Sequence, residues 1–370
     1  MNFALDETQI AVRDAIERLF GDLHRRTASA EIAWNALAGG GWLSFPLPEN
    51  CGGTGVTLFD IGMLMRAAGR NALITPFFSS SVSGSLLVRQ LPNSAFAASV
   101  MADTAAGSVR VAFAHQEGAD YDPARLTTTA CQKDGKWVVS GAKQLSLGAD
   151  DADWLFVSAR TPEGTGVFLL EKARDGVELS RVRTLRGEDA ADIIMRSVAL
   201  DPARCLGCGS DVGAALSKTV DELVLCLCWE AVGAMEDLLQ QTIGYVKLRE
   251  QFGKPLASFQ TVQHRIAEMA VRCEEAHSMT ELATLRAQET GQRRSVSAAK
   301  VQVARNAKYV AEAAVQLHGA VGFAQELAVS RYFHLLTSFQ HLYGTVENHL
   351  LAYADATLPS RRHLTSAVLS

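Results

Sequence analysis

From Asp6 to about Leu23 apolar residues return every three to four positions, with Ile10, Ile16, Leu19 and Phe20 on one face, and Leu58 to Ala72 repeats the period. Both stretches predict amphipathic helices. Between them, Gly39-Gly40-Gly41-Trp42-Leu43 and Pro46-Leu47-Pro48-Glu49-Asn50-Cys51-Gly52-Gly53 read as loop, their glycines permitting close backbone approach or positive φ. Thr75-Pro76 interrupts the chain again. Further helix is expected through Ser79 to Gln90 and Ser94 to Thr104, closing a helical domain near Gly107. From Val109 the texture changes to short β-branched and aromatic runs: Val109-Arg110-Val111-Ala112-Phe113, Lys136-Trp137-Val138-Val139-Ser140-Gly141, Trp154-Leu155-Phe156-Val157-Ser158 and Gly166-Val167-Phe168-Leu169-Leu170. These predict strands, with Asp134-Gly135 a tight turn and Ser197-Val198-Ala199-Leu200 the last strand before Asp201-Pro202. After Asp211 helical periodicity persists to about Asp355. Four long helices are expected there, ending at Arg249, near Gln288, near Leu317 and after Glu347, with breaks at Gly291-Gln292-Arg293-Arg294 and at Gly319 to Gly322.

Helices, then strands, then a four-helix set predict an α+β protein. The expected domains are 1–108 helical, 109–210 a β barrel or sandwich, 211–356 a helical bundle and 357–370 a tail. The 370 residues are 48% hydrophobic, enough for a large core. A formal net charge of −5 offers no basic excess, so nucleic acid is not an expected partner. The start, Met1-Asn2-Phe3-Ala4-Leu5-Asp6-Glu7, lacks the basic, then apolar, pattern of a secretory signal, and no apolar run approaches ~20 residues. A cytoplasmic protein is expected, with no membrane partner. Its seven Cys then read as reduced thiols. Cys205-Leu206-Gly207-Cys208 could be half of a zinc site or a redox pair, but no second Cys-x-x-Cys or spaced His pair accompanies it, and no metal is expected. Cys226 and Cys228 sit in an apolar helix and read as core.

One stretch says most about chemistry: Arg249-Glu250-Gln251-Phe252-Gly253-Lys254-Pro255-Leu256-Ala257-Ser258-Phe259-Gln260-Thr261-Val262-Gln263-His264. Gly253 and Pro255 stop the helix carrying Tyr245 to Arg249, and Ser258 offers an N-cap hydroxyl to a helix marked by Val262, Ile266, Met269, Cys273 and Ala276. A cation held beside a helix N-terminus suits an anion, and a solvated surface turn is the other reading.

The same stretch resembles the signature of acyl-CoA dehydrogenases, in which such an Arg and Phe reach a flavin held mainly by a neighbouring subunit. Gln316-Leu317-His318-Gly319-Ala320-Val321-Gly322-Phe323 resembles a second family motif, followed by Glu326 and Arg331. Pro48-Glu49-x-x-Gly52-Gly53 extends the likeness towards the N-terminus. Ala112-Phe113-Ala114-His115, Gly141-Ala142-Lys143 and Glu230-Ala231-Val232-Gly233-Ala234-Met235-Glu236 are similar to the small subunit of pimeloyl-CoA dehydrogenases. The resemblance implies an acyl-CoA dehydrogenase-like fold, FAD as cofactor and an acyl-CoA substrate from fatty acid or steroid side-chain catabolism. It also implies a homo- or hetero-tetramer with a paralogous subunit, and electron-transfer flavoprotein as acceptor. Arg249, Gln251, Phe252, Gln260, Gln316, Gly319, Ala320 and Thr345 are the implied FAD contacts, Ala320 standing where a second Gly is usual.

The family's reaction takes an α-proton with a carboxylate base while the β-hydrogen leaves as hydride. The usual Glu of the base motif is replaced by Tyr343 in Leu342-Tyr343-Gly344-Thr345, and the alternative base position holds Leu223. Glu222 is adjacent but turned by roughly 100° on the helix. Asp221, Glu230 and Glu347 are further candidates. The loop His115-Gln116-Glu117-Gly118-Ala119-Asp120-Tyr121 replaces the family's flavin-wrapping sequence, and Leu145 stands for its usual Trp. Three readings follow: a dehydrogenase subunit of an α2β2 assembly whose partner carries the base, a homo-oligomer with a relocated base such as Glu222, or a non-catalytic subunit completing its neighbour's FAD site.

Overall fold

The computed structural model describes residues 6–25, 29–118, 125–287, 292–319 and 328–358. It divides into two compact units, one of Met1–Leu64 and Leu73–Leu223, the other of Met65–Ala72 and Val224–Ser370.

The first unit opens with α1 (Glu7–Arg25), α2 (Ala30–Gly39) and the start of α3 (Leu58–Arg70), followed by α4 (Ser83–Gln90) and α5 (Ala95–Ala105). Ile16, Phe20 and Leu23 are buried as the period predicts, but Ile10 is 39% exposed, so the packed stripe of α1 begins a turn late. The apolar period does not announce α2. Its alanines blur the pattern, although Ser29 caps it by accepting from Ile32 N–H, and Trp34 Nε1 donates to Gly107 O at 2.9 Å. The chain enters α4 through a π-helical turn, Phe77–Val82, where Ser83 N–H reaches back five residues to Phe78 O. Ser79, Ser80 and Ser81 are buried in it, Ser81 Oγ donating to Leu43 O at 2.7 Å and Ser80 Oγ accepting from Val111 N–H at 2.9 Å.

The sheet follows as β1 (Val111–Ala114), β2 (Thr129–Lys133), β3 (Lys136–Leu147), β4 (Trp154–Thr161), β5 (Gly164–Glu171), β6 (Val177–Arg183), β7 (Asp189–Leu200) and β8 (Cys205–Gly209). Its order is β6-β7-β3-β2-β4-β5-β8, with β1 parallel to β4. Asp134 and Gly135 take φ of 51° and 74° between β2 and β3, as a two-residue hairpin turn requires. Trp137, Val139, Leu155, Val157, Phe168, Leu170, Ile193 and Val198 form the sheet's core. The last strand is β8 rather than Ser197–Leu200, because Cys-Leu-Gly-Cys-Gly carries no β-branched signal.

The second unit is helical. It takes α6 (Ser210–Leu248) from Val224 on, then the hairpin β9 (Glu250–Gln251) and β10 (Lys254–Pro255), and α7 (Gln260–Arg286), α8 (Gln292–His318), α9 (Ala328–Phe339) and α10 (Val346–Thr357). Ser258 does not cap α7. Its Oγ donates to Pro255 O at 2.7 Å, and Phe259 is the N-cap, without a side-chain bond. The expected fourth long helix is two helices, since Gly344 (φ 102°) breaks it and Thr345 starts α10 with a capping box to Asn348. α6 is buried on every side from Val224 to Trp229. It meets the last turns of α3 through glycine: a Cβ on Gly69 would lie 1.9 Å from Glu230 O, and one on Gly233 1.9 Å from Arg66 O. Beside this crossing Arg66 makes a two-pronged ion pair with Glu236, at 2.8 and 3.0 Å. Among the described residues no helix is long and apolar enough to cross a membrane.

Candidate active site

In the second unit the Arg249 stretch and the Gln316–Gly319 part of the second motif come together at helix ends. Tyr245, one turn before Arg249, stacks on His318 with ring centroids 4.3 Å apart and donates from its hydroxyl to His318 O at 3.3 Å. Arg249 thus lies at the end of α6 that meets the Gln316–Gly319 end of α8. From Arg249 the chain turns through β9 and β10, with Phe252 at φ 56° and Gly253 at φ 78°. Leu256 N–H closes the excursion on Arg249 O at 2.8 Å. Arg249, Gln251, Gln260, Gln316 and Gly319 are all exposed, and among the described residues no carboxylate pairs with Arg249. Phe252 is 89% exposed and Leu248 84%, an apolar tip lifted into solvent. Gly319 has φ 65° and open space where a Cβ would stand. Ala320, Phe323 and Glu326 lie outside the described residues.

Tyr343 sits in the α9–α10 turn at φ 53°, half-buried. Two buried side chains fix that turn. Lys300 Nζ donates to Phe339 O and, at 3.0 Å, to Leu342 O, while His349 Nε2 lies 2.9 Å from Tyr343 O. Burial pushes the Lys300 ammonium down to about 7 and the His349 imidazole down to about 4, the latter helped by the Lys300 charge. Thr345, an expected cofactor contact, spends its hydroxyl on the cap of α10. Neither Lys300 nor His349 stands out in the sequence; a Lys among apolar helical positions is the available signal.

The acids fall in different settings. In the first unit Glu222 is 7% exposed, with both carboxylate oxygens 3.3 Å from Gln90 Nε2. Burial raises it to about 7, against the pull of Lys218, Arg89 and Gln90. That is the range a general base needs at neutral pH. Leu223 is fully buried and apolar, and Asp221 (6%) and Glu230 (2%) are buried. Glu347 is exposed in the first turn of α10, its carboxyl held below the usual range by backbone and Thr345 hydrogen bonds.

On the sheet, β3 slips register between Lys143 and Ser146. Leu145 is consequently held at φ 46°, its N–H donating to Asp192 Oδ1 at 2.8 Å, and Ser146 Oγ is buried without a hydrogen-bond partner among the described residues. Beneath the slip Lys143 Nζ reaches Glu117 Oε1 at 2.6 Å, Ser158 Oγ at 3.0 Å and His115 O at 3.3 Å. Glu117 in turn accepts from Thr127 and Thr128. Lys143 and Glu117 are visible in the sequence only as motif letters; their pairing, 26 residues apart, needs the fold. Residues 119–121 of the replaced loop lie outside the described residues.

Comparison with known proteins agrees with this architecture. The acyl-CoA dehydrogenase middle-domain model matches residues 112–198 and the C-terminal-domain model residues 214–358. Acyl-CoA dehydrogenase FadE28 of Mycobacterium tuberculosis is 31% identical over 258 residues, 70% of this chain and 72% of that protein. The caffeyl-CoA reductase-Etf complex subunit CarC of Acetobacterium woodii is 26% identical over 319 residues, 82% and 84% of the two chains. A solved structure described as a variant of the Tcur3481-Tcur3483 steroid ACAD superimposes with a TM-score of 0.84 at 26% identity, covering 98% of this chain and 99% of that one.

Proposed function

We propose, from the premise that this chain belongs to the acyl-CoA dehydrogenase family, that it serves as one subunit of a FAD-dependent acyl-CoA dehydrogenase whose base resides on a paralogous partner. The observation that carries this reading is the pairing of two recognisable family motifs, at Arg249–His264 and Gln316–Phe323, with two base positions, Leu223 and Tyr343, that hold no carboxylate. A buried leucine cannot take a proton, and a phenol with an ordinary pKa near ~10 is protonated at neutral pH.

The residues suit the cofactor. Arg249, unpaired by any acid among the described residues, is available to a pyrophosphate. Gln251, Gln260 and Gln316 offer exposed amides, Gly319 offers unhindered backbone, and Phe252 offers an exposed ring. Thr345 and Ala320 complete the proposed set. FAD, when bound, supplies the acceptor for the β-hydrogen. The chain's own part is to hold the cofactor's charge, to present an apolar tip to a neighbouring subunit, and to keep the Tyr343 turn fixed through Lys300 and His349. The relatives support the assembly: one bears the name of an Etf complex subunit, and one solved steroid ACAD has a paired name. A tetramer with a paralogue, electron-transfer flavoprotein as acceptor and a steroid or fatty acyl thioester as substrate are therefore part of the proposal.

A second reading rests on Glu222. Its raised pKa favours a relocated base in a homo-oligomer. The two readings separate in one experiment. The isolated chain is loaded with FAD and given an artificial electron acceptor and a panel of acyl-CoA thioesters, with and without the paralogous subunit, while flavin absorbance is followed. Bleaching is expected only in the mixture. Bleaching by the isolated chain that Glu222→Gln abolishes would establish the relocated base instead, and a protein that stays colourless even with its partner would remove FAD from the assignment. In the active mixture Arg249→Ala is expected to weaken FAD retention by about tenfold or more, the loss of one charged hydrogen bond, as read by equilibrium dialysis.

A further inference from the structure

The Cys205-Leu206-Gly207-Cys208 motif takes no part in the site above, and β8 gives it a shape that spacing alone does not. In a regular strand, residues three apart point to opposite faces. Here the pairing with β5 slips: Phe168 stands opposite Cys205, Val167 opposite Gly207 and Gly166 opposite Cys208. Leu206 is the extra residue of a bulge. The positions facing the two cysteines, Phe168 and Gly166, are two apart on β5, so Cys205 and Cys208 project from one face as adjacent neighbours. Two residues of strand rise span about 6.6 Å, within the Cα separation of about 4.4–6.8 Å that a disulfide accepts.

Each thiol contributes to the other's pKa shift, as neighbouring groups do. Cys208 Sγ also lies 3.3 Å from Glu163 Oε2, and Cys208 is exposed while Cys205 is half-buried. Among the described residues no three His, Cys, Asp or Glu side chains converge to hold a metal.

We propose that Cys205 and Cys208 form a redox modification site that closes reversibly to a disulfide by exchange with a low-molecular-weight disulfide. The accessible Cys208 thiolate attacks one sulfur of the small disulfide. That S–S bond breaks, a mixed disulfide forms, and the first small thiolate departs and takes up the proton Cys208 gave to solvent. Cys205 then attacks the Cys208 sulfur and expels the second small thiol, which receives the proton lost from Cys205. Two protein thiols are oxidised and one small disulfide is reduced to two thiols. Burial raises both thiols, Cys208 to about 11 with the Glu163 carboxylate adding to the effect. The reduced form therefore gains nothing from thiolate stabilisation, which slows closure but favours the closed form at equilibrium.

The test uses the full-length protein and oxidised glutathione, incubated until the exposed Cys131 carries a mixed disulfide, followed by alkylation, digestion and mass spectrometry. The peptide containing Cys205 and Cys208 is expected to lose two hydrogens, to resist alkylation and to regain both thiols with dithiothreitol. The closed fraction is expected to exceed that of the urea-unfolded chain by about tenfold, since the bulge holds the sulfurs together. In Cys205→Ser, Cys208 should stop at the mixed disulfide. Two alkylated cysteines beside a modified Cys131, or equal closure in the unfolded chain, would overturn the proposal.

Discussion

Alanine at Gly69 or at Gly233 is expected to destabilise the protein by about 3 kcal/mol or more, although it adds a single methyl group to a helix. Helix propensity alone would make either change favourable by about 0.5–1 kcal/mol. The sign reverses because each new Cβ would stand 1.9 Å from a carbonyl oxygen of the facing helix, Glu230 O for Gly69 and Arg66 O for Gly233. A main-chain oxygen cannot swing aside as a side-chain end can, so the helices must separate, and the bidentate Arg66–Glu236 pair beside the crossing must stretch with them. Urea unfolding followed by tryptophan fluorescence reads the effect, because Trp229 lies one turn from Gly233 and is anchored by Nε1 to Thr284 Oγ1 at 3.0 Å. Gly244→Ala is the control: it lies on the same helix with nothing within 4 Å of its Cβ. That variant should be neutral or slightly more stable. Equal midpoints for all three variants would show that the crossing tolerates expansion.

The second large effect is expected from the buried pair on the sheet. Lys143→Met should lower stability by about 3–5 kcal/mol at neutral pH, because it strands the Glu117 carboxylate, and adding Glu117→Gln should recover much of the loss. The pair also sets how stability follows pH. Burial by itself would raise the Glu117 carboxyl, but the Lys143 charge and hydrogen bonds from Lys143, Thr127 and Thr128 outweigh it and hold it down at about 2, below the ordinary 4.5. Its contribution is complete above pH 4.5 and is lost as pH falls towards 2. The Lys143 ammonium is lowered as well, from 10.5 to about 8, because burial outweighs the attraction of Glu117. The folded state releases that proton first, so stability should rise as pH climbs from 8 to 10.5. Melting temperatures across both windows test this, and in Lys143→Met both slopes should flatten. Unchanged slopes would mean that other groups govern the pH response.

Features decided by local chemistry could be read from the chain. The Asp134-Gly135 turn and the long helices after Asp211 are written in residues a few positions apart. Gly253 and Pro255 announced the end of the helix and a corner. That the corner is a two-stranded hairpin with Phe252 itself at positive φ was not legible, since an aromatic residue is a poor indicator of that conformation. The sequence stops short where distant partners decide. Glu222 could be named as an acid, but its burial against Gln90 depends on a residue 132 positions away. Tyr343 could be aligned with a missing base, whereas the Lys300 and His349 bonds that pin its turn come from two other helices. The cysteine motif is plain in its sequence spacing, and the bulge that changes its geometry belongs to the pairing of β8 with β5.

The π-helical turn of Phe77–Val82 bears on how chain length can vary. A π turn accommodates one more residue than the α-helical ladder needs. Removing a residue inside α4, for instance at Leu86, would rotate everything beyond it by about 100° and turn its buried face outward. Removing one serine from Ser79-Ser80-Ser81 instead returns the ladder to four-residue spacing, while the Phe77 side and the Leu86-Leu87 side each keep their orientation. The serine run is thus a joint at which a single residue can be removed while the helix on either side keeps its facing.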